Sequence, residues 1–353
     1  MKYLNVGCRW NLRFLEEIRR LNRINPECRI DELYGSLPGL LPTARARDRL
    51  PQVSLEDAAP FIAKCQASGI SICYTVNASC IGPIQNFNET QFRKDLRALS
   101  DLGITRYTVT SPLLARIITE EVPDAALKIS TITRLWTISE MTRWLKYPVY
   151  AFTIEHNIVK DLALVSYLNN YCMRKGVQLE VLANEFCLQG CPHRNLCYNL
   201  SSHDSQRGPF DYYPFGWCYK ERERNPVEWL KSPIILPQDL ELYSRITGVT
   251  HFKITGRTAP DEVILRIAEC YIRERWDGNL LALWPQIHQL AGTDTLEKST
   301  YISCKHLPSL VKIWEKMSIP CQLRDCDECG ICAKLYELAG GKPNESNEER
   351  KLG

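Results

Sequence analysis

Short runs in which apolar residues alternate or cluster recur along the chain, at Tyr3–Val6, Asp31–Tyr34, Ser71–Val76, Arg106–Thr110, Leu127–Thr131, Val149–Ile154, Gln178–Leu182 and His251–Ile254. Each has the length and period of a β-strand. Between them apolar residues fall three and four apart, as on one helix face. In TQFRKDLRALSDL (Thr90–Leu102), Phe92, Leu96 and Leu99 share a face and Gly103 supplies the stop. Strands separated by crossovers long enough to hold a helix predict an α/β fold, a TIM-like (β/α)8 barrel with a Cys-rich C-terminal extension. An open doubly wound sheet shares this periodicity, but no GxGxxG or P-loop follows an early strand.

The same pattern sets expected boundaries. Residues 1–270 form the barrel, with a Cys-rich insertion at 185–232. Residues 271–340 form a helical, Cys-rich metal-binding segment. The stretch 341–353, GKPNESNEERKLG, is polar and aperiodic and reads as a disordered tail. Barrel chemistry gathers at the carboxyl ends of the strands. Those positions hold Asn77, Ser79, Ser111, Thr131, Thr133, Glu155, His156, Asn184, Glu185, Thr255 and Arg257. The set has the mixed polarity of a pocket rim, and equally that of solvated loops.

Composition changes this picture through one residue type. The 353 residues include 16 cysteines. The start, MKYLNVGCRW, has neither a basic n-region nor an apolar h-region. A cytoplasmic location is therefore expected, where clustered thiols are metal ligands or redox groups more often than crosslinks. No run approaches the ~20 apolar residues of a membrane span, so no membrane insertion is expected. The 44 basic and 41 acidic residues are interspersed and net to +3, which gives no nucleic-acid-binding face and leaves RNA open only as a substrate.

Two cysteine constellations stand out. LEVLANEFCLQGCPHRNLC, followed by PFGWC, places Cys187, Cys191, Cys197 and Cys218 at the end of one strand and in the segment after it. The irregular spacing lacks the paired tight knuckles of a zinc ribbon and suits an iron-sulfur cluster, in which each iron needs one terminal thiolate. His193 is an alternative ligand, and Cys197 alternatively a buried small hydrophobe. The second, CQLRDCDECGIC, holds Cys321, Cys326, Cys329 and Cys332, two consecutive CxxC steps with Gly330 freeing the turn. It predicts a metal centre, iron-sulfur or a closed zinc site. The expectation is one 4Fe-4S cluster or two. Cys65, Cys172 and Cys270 fall in helical patterns and read as core; Cys8 and Cys80 follow strands and are candidates to face the pocket.

With these residues in view, the chain resembles the peptidase U32 family. The resemblance is carried by LEVLANEFCLQGCPHR (Leu179–Arg194) and by ILPQDLELYSRITGVTHFKITGRTAPDEVI (Ile235–Ile264), and it covers most of Val53–Tyr271. It implies a TIM-type barrel and, as in cluster-bearing members, a 4Fe-4S cluster on Cys187, Cys191, Cys218 and Cys197. The spacing of the first two cysteines is shorter here than in the ubiquinone-pathway members, which leaves the fourth ligand open. The family implies two activities, peptide-bond hydrolysis and oxygen-independent hydroxylation of a quinone precursor or an RNA base. It also implies a heteromeric partner of the same family.

No HExxH or GxSxG occurs, and only six histidines are present, so the hydrolase reading rests mainly on the family. For modification chemistry, Arg257 is placed to form a two-pronged pair with a carboxylate, and Glu155 and Glu185 to act as acid or base. Each is also ordinary material for a barrel-interior ion pair. A third reading is an electron-transfer or partner subunit, receiving electrons from a carrier at the C-terminal set. Small molecule, peptide and RNA all remain open as substrate.

Overall fold

In a computed structural model the eight expected runs are strands: β1 Lys2–Gly7, β2 Cys28–Gly35, β3 Ser71–Val76, β4 Arg106–Val109, β5 Ala126–Ile129, β6 Val149–Thr153, β7 Gln178–Leu182 and β8 His251–Lys253. They pair in parallel, in chain order, and β8 closes on β1, so the fold is a TIM-like barrel and not an open sheet. The structure describes residues 1–82, 87–207, 213–288 and 300–341. The expected tail therefore lies outside the described residues from 342 onward. Among the described residues no helix is long and apolar enough to cross a membrane.

The crossovers carry α1 Leu12–Leu21, α2 Leu55–Ala67, α3 Glu89–Asp101, α4 Pro112–Glu121, α5 Ile138–Trp144 and α6 Leu162–Arg174. Their starts follow from capping chemistry. Asn11, Ser54, Asn88, Ser111, Thr137 and Asp161 each accept a hydrogen bond from a backbone N–H of the first turn. Phe92, Leu96 and Leu99 of α3 are buried as their spacing required. Between β7 and β8 the chain inserts α7 Arg194–Arg207, α8 Tyr213–Arg224, α9 Glu228–Lys231 and α10 Leu240–Thr247. After β8 come α11 Asp261–Ile272, α12 Leu310–Glu315, α13 Cys326–Cys329 and α14 Ile331–Leu338.

The alternation within the strands has a specific cause. The outward residues, among them Leu4, Val6, Tyr107, Leu127, Phe152, Val181 and Phe252, are buried in the hydrophobic core. The inside of the barrel is polar. Lys128 Nζ donates to Glu32 Oε1 and Glu180 Oε2, each at 2.5 Å. Glu180 also accepts from Thr153 Oγ1 at 2.7 Å and from Asn5 Nδ2. Glu32 accepts from Tyr150 OH at 2.7 Å and Arg106 Nη1 at 3.2 Å. Burial alone would lower the Lys128 pKa, but the two carboxylates outweigh it and raise it, while Lys128 holds Glu180 low against its own burial.

Two bulges shape this interior. Pairing skips Tyr150 between Val149 and Ala151, which lets both Tyr150 and Thr153 reach the interior carboxylates. It also skips Asp31 between Ile30 and Glu32. Burial and the neighbouring Glu32 push the Asp31 carboxyl up to about 6, and its Oδ1 has no hydrogen-bond partner among the described residues.

Candidate functional site

The carboxyl ends of the strands meet the β7–β8 insertion. Of the expected rim residues, Ser111 caps α4, and Asn184 locks two strand ends together, accepting the Thr255 N–H at 2.7 Å and donating to Leu283 O at 2.8 Å. Thr131 donates to Ile154 O at 2.8 Å. These three have structural partners, as polar strand ends often do.

Glu155 is buried and saturated. It accepts from Arg134 Nε at 3.1 Å and the Asn157 N–H at 3.2 Å, and lies 3.0 Å from His156 Nδ1. His156 in turn contacts the buried Arg194 guanidinium, with Nη1 2.6 Å from Nε2. Glu155 thus orients this group more than it offers a free carboxylate. Glu185 accepts the N–H groups of Phe186 at 2.8 Å and Cys187 at 3.1 Å, so its carboxylate sits at the root of the first cysteine loop; burial raises its pKa. Arg257 lies deeper, 5% exposed, bonded to hydroxyls.

Cys187 and Cys191 follow β7, Cys197 lies on α7 and Cys218 on α8. The fold brings these four thiols within electrostatic reach of one another. Among the described residues no three His, Cys, Asp or Glu side chains converge as one metal ion would need. A multi-iron cluster, with its ligands spread over several irons, has no such requirement. The surroundings fit an anionic tetrathiolate centre. Arg222, fully buried, lies over the Phe186 and Trp229 rings at 4.3 and 4.6 Å, within electrostatic reach of Cys218 and Cys187. It donates to Phe186 O and to Ser232 Oγ, its Nε has no partner, and no carboxylate pairs with it among the described residues. Left without an anion, such a cation is costly to bury. Burial pushes the Cys187 and Cys197 thiols up, the latter to about 12, so without a metal they are not nucleophiles. His193, the alternative ligand, packs edge-on against Trp217 at 4.7 Å.

The second set lines a common cavity. Cys321, Cys326, Cys329 and Cys332 line one cavity of about 280 Å³, together with the buried Lys160. Gln189, which sits between Cys187 and Cys191 in sequence, lines the same cavity, so the two cysteine sets are neighbours in space. Cys326 is exposed.

Three features escaped sequence reasoning. Cys80 Sγ lies 3.2 Å from His203 Nε2 of α7, a thiol–imidazole pair from segments more than a hundred residues apart. Lys253 faces the interior, Nζ 3.8 Å above the Tyr34 ring. The hydroxyls around Arg257 come from Ser36 and Thr43 after β2 and Thr75 on β3. The inward parity of Lys253 and Thr75 was legible from strand alternation, whereas the Cys80–His203 contact had no local signal. Cys8 proves to be core, buried beside Gly35, while Cys65, Cys172 and Cys270 are core as expected.

No family model matches the chain. It is 27% identical over 331 residues to a protein of Methanocaldococcus jannaschii named only as an uncharacterized protease, covering 92% of this chain and 94% of that one. The solved structure of a U32 peptidase superposes with a TM-score of 0.48 at 16% identity, over 72% of this chain and 93% of that one. A GH113 β-1,4-mannanase superposes with a TM-score of 0.40 at 9% identity, over 78% and 98%. Likenesses at those scores add nothing to the barrel that the strand order already gives. The chain resembles the peptidase U32 family, as its motifs indicate, and is similar along nearly its whole length to a protein named a protease.

Proposed function

We propose that this protein is an iron-sulfur enzyme of the U32 type that modifies a small substrate at the barrel mouth without oxygen. The observation that carries this reading is the grouping of Cys187, Cys191, Cys197 and Cys218 near the buried Arg222, which forms no ion pair with a carboxylate among the described residues. A cluster held there would supply a redox or Lewis-acid centre beside the strand ends. The chain's own residues frame it. Glu185 anchors the first cysteine loop through two backbone N–H groups, Asn184 ties β7 to β8, and the Glu155–His156–Arg194 group fixes the adjoining edge. The C-terminal set is read as a second thiolate centre near the first; its four thiols line one cavity without converging as a single metal ion would need, which favours a multi-iron cluster there over zinc. A reducing cytoplasm, an electron carrier and a partner chain of the same family are part of this reading.

The test is substitution. Cys187→Ser with Cys191→Ser should remove about one cluster of iron and its visible absorbance, whereas Cys304→Ser, at a buried thiol away from both sets, should leave both unchanged. Equal iron in the two variants would sink the reading.

The name of the Methanocaldococcus relative and the Cys80–His203 pair favour a second reading, thiol-dependent peptide hydrolysis. An imidazole at 3.2 Å can take the thiol proton, which is the arrangement a cysteine nucleophile needs. Cleavage of a fluorogenic peptide library that is lost in Cys80→Ala and kept in Cys187→Ser would establish it over the first.

A further inference from the structure

Lys160 closes the turn between β6 and α6, yet its side chain serves the other end of the chain. It is 4% exposed and lines the cavity that holds Cys321, Cys326, Cys329 and Cys332. Its Nζ donates to Lys231 O at 2.7 Å and makes no ion pair among the described residues. A carbonyl satisfies one of the three ammonium donors and brings no charge. The carboxylates nearby are committed elsewhere. Glu228 pairs with Lys231 at 2.7 Å, Asp161 caps α6 and accepts from Gln322 Nε2 at 2.7 Å, and Asp325 caps α13. Asp327 also lines the cavity but is exposed, where water weakens its field. Two thiols of the set, Cys321 and Cys332, lie within electrostatic reach of Lys160. Arg324 adds a second cation: its Nη1 is 3.8 Å from Cys329 Sγ, its Nε donates to Ile319 O at 2.7 Å, and it has no carboxylate partner among the described residues.

Neutral thiols cannot answer the charge of a buried ammonium, and burying one unpaired is costly. Thiolates on a metal can, because four of them carry more negative charge than a zinc ion or a cubane core cancels. We propose that Lys160, with Arg324, is the counter-cation of the C-terminal thiolate centre, a positioning residue that secures the metal and sets its reduction potential. A cation beside an anionic centre favours the state that holds the extra electron, so its loss moves the potential down. Since Lys160 belongs to the barrel, the same contact ties the C-terminal segment to it. Asn157, three residues earlier, accepts the Gly190 N–H through Oδ1 and the Gln189 side chain through its carbonyl, each at 3.1 Å, so one short segment touches both cysteine loops. The inference rests on the C-terminal set holding a metal, as in the proposed function, and adds the barrel residue on which that metal depends.

The experiment is a redox titration followed by electron paramagnetic resonance on full-length protein purified without oxygen, with metal counted per chain. The signal missing from Cys326→Ser with Cys329→Ser identifies the C-terminal centre. Lys160→Gln keeps a donor and loses the charge. Its midpoint for that signal should fall by the equivalent of about tenfold in the oxidised-to-reduced ratio, about 59 mV for one electron. Lys160→Arg should restore the parent value. A role confined to the Lys231 hydrogen bond would lower the melting temperature and leave the potential where it was. If the set holds zinc, the readout is the rate of zinc loss to excess EDTA, about tenfold faster in Lys160→Gln and restored in Lys160→Arg. If Lys160→Gln fails to fold, Arg324→Gln, at a partly exposed position, should move the same readouts in the same direction by less. An unchanged midpoint at full iron content, or unchanged zinc loss, overturns the proposal and leaves the metal reading standing. A C-terminal set that takes up no metal in the parent sinks that reading, and the proposal with it.

Discussion

Lys128→Met tests how the barrel interior is held together. Lys128 is 1% exposed and shared by Glu32 and Glu180, 3% and 1% exposed. Removing the ammonium leaves Glu180 hydrogen-bonded to Asn5 and Thr153, with Lys253 the remaining cation within electrostatic reach, while Glu32 keeps Arg106 and Tyr150. Breaking a buried pair by deleting one partner costs about 3–5 kcal/mol, because the remaining charge stays desolvated. An unfolding entropy of about 2.1 cal/mol/K per residue gives about 0.7 kcal/mol/K for 353 residues, so the melting midpoint should fall by about 4–7 °C. In the native protein Glu180 has a depressed pKa, which contributes stability above the ordinary carboxylate range and loses it as pH falls through the folded value. In Lys128→Met the sign reverses for Glu180: without Lys128 its burial disfavours the charged form, so the deficit should shrink with acidification. Adding Glu180→Gln should recover most of the loss. Thermal unfolding followed by far-UV circular dichroism decides it. A neutral-pH midpoint within about 1 °C of the parent, or a deficit that deepens on acidification, would refute the reasoning.

Asp31→Asn should stabilise the protein near neutral pH, on the order of 1–3 kcal/mol. Asp31's folded pKa of about 6 lies above its ordinary 3.8, so its ionisation costs stability as pH rises from 3.8 to about 6, and the gain should vanish below that window. Gly7→Ala should destabilise the protein by about 1–3 kcal/mol and so lower the melting midpoint, because its Cβ meets Arg257 backbone and not a movable side-chain end; an unchanged midpoint would show that β1 can shift away. Cys326→Ser with Cys329→Ser should remove metal from the C-terminal set while leaving the barrel melting transition in place, since none of these ligands lies on a strand; aggregation of the variant would mean that the set staples the core.

The barrel was legible because its strands alternate. Outward Leu, Val and Phe pack under helices while inward Asn5, Glu32, Lys128 and Glu180 form a polar interior, so periodicity gave all eight strands with their ends within three residues, and β3 and β7 matched at both ends. The bulges at Asp31 and Tyr150 were not legible, since each depends on a neighbouring strand's register. Both cysteine sets could be read from local spacing, yet their adjacency, mediated by Gln189, could not. Arg257 was legible as a strand-end residue, but Ser36 and Thr43 reach it from the loop after β2, which no pattern in the sequence ties to β8. Glu155 shows a further contact set that the sequence did not give. Its strand-end position made it a candidate acid or base, and its contacts with Arg134 and His156 come from the loop residues around it, which no periodicity ties together.

The central claim is that Cys187, Cys191, Cys197 and Cys218 hold an iron-sulfur cluster. Iron, zinc and acid-labile sulfide should be counted per chain, with an electronic spectrum, on protein purified without oxygen. About eight irons with matching sulfide are predicted for two cubane clusters, or about four with zinc at the C-terminal set. Zinc alone, or protein that takes up neither metal after anaerobic reconstitution, would contradict the account and bring the Cys80–His203 hydrolase reading to the front.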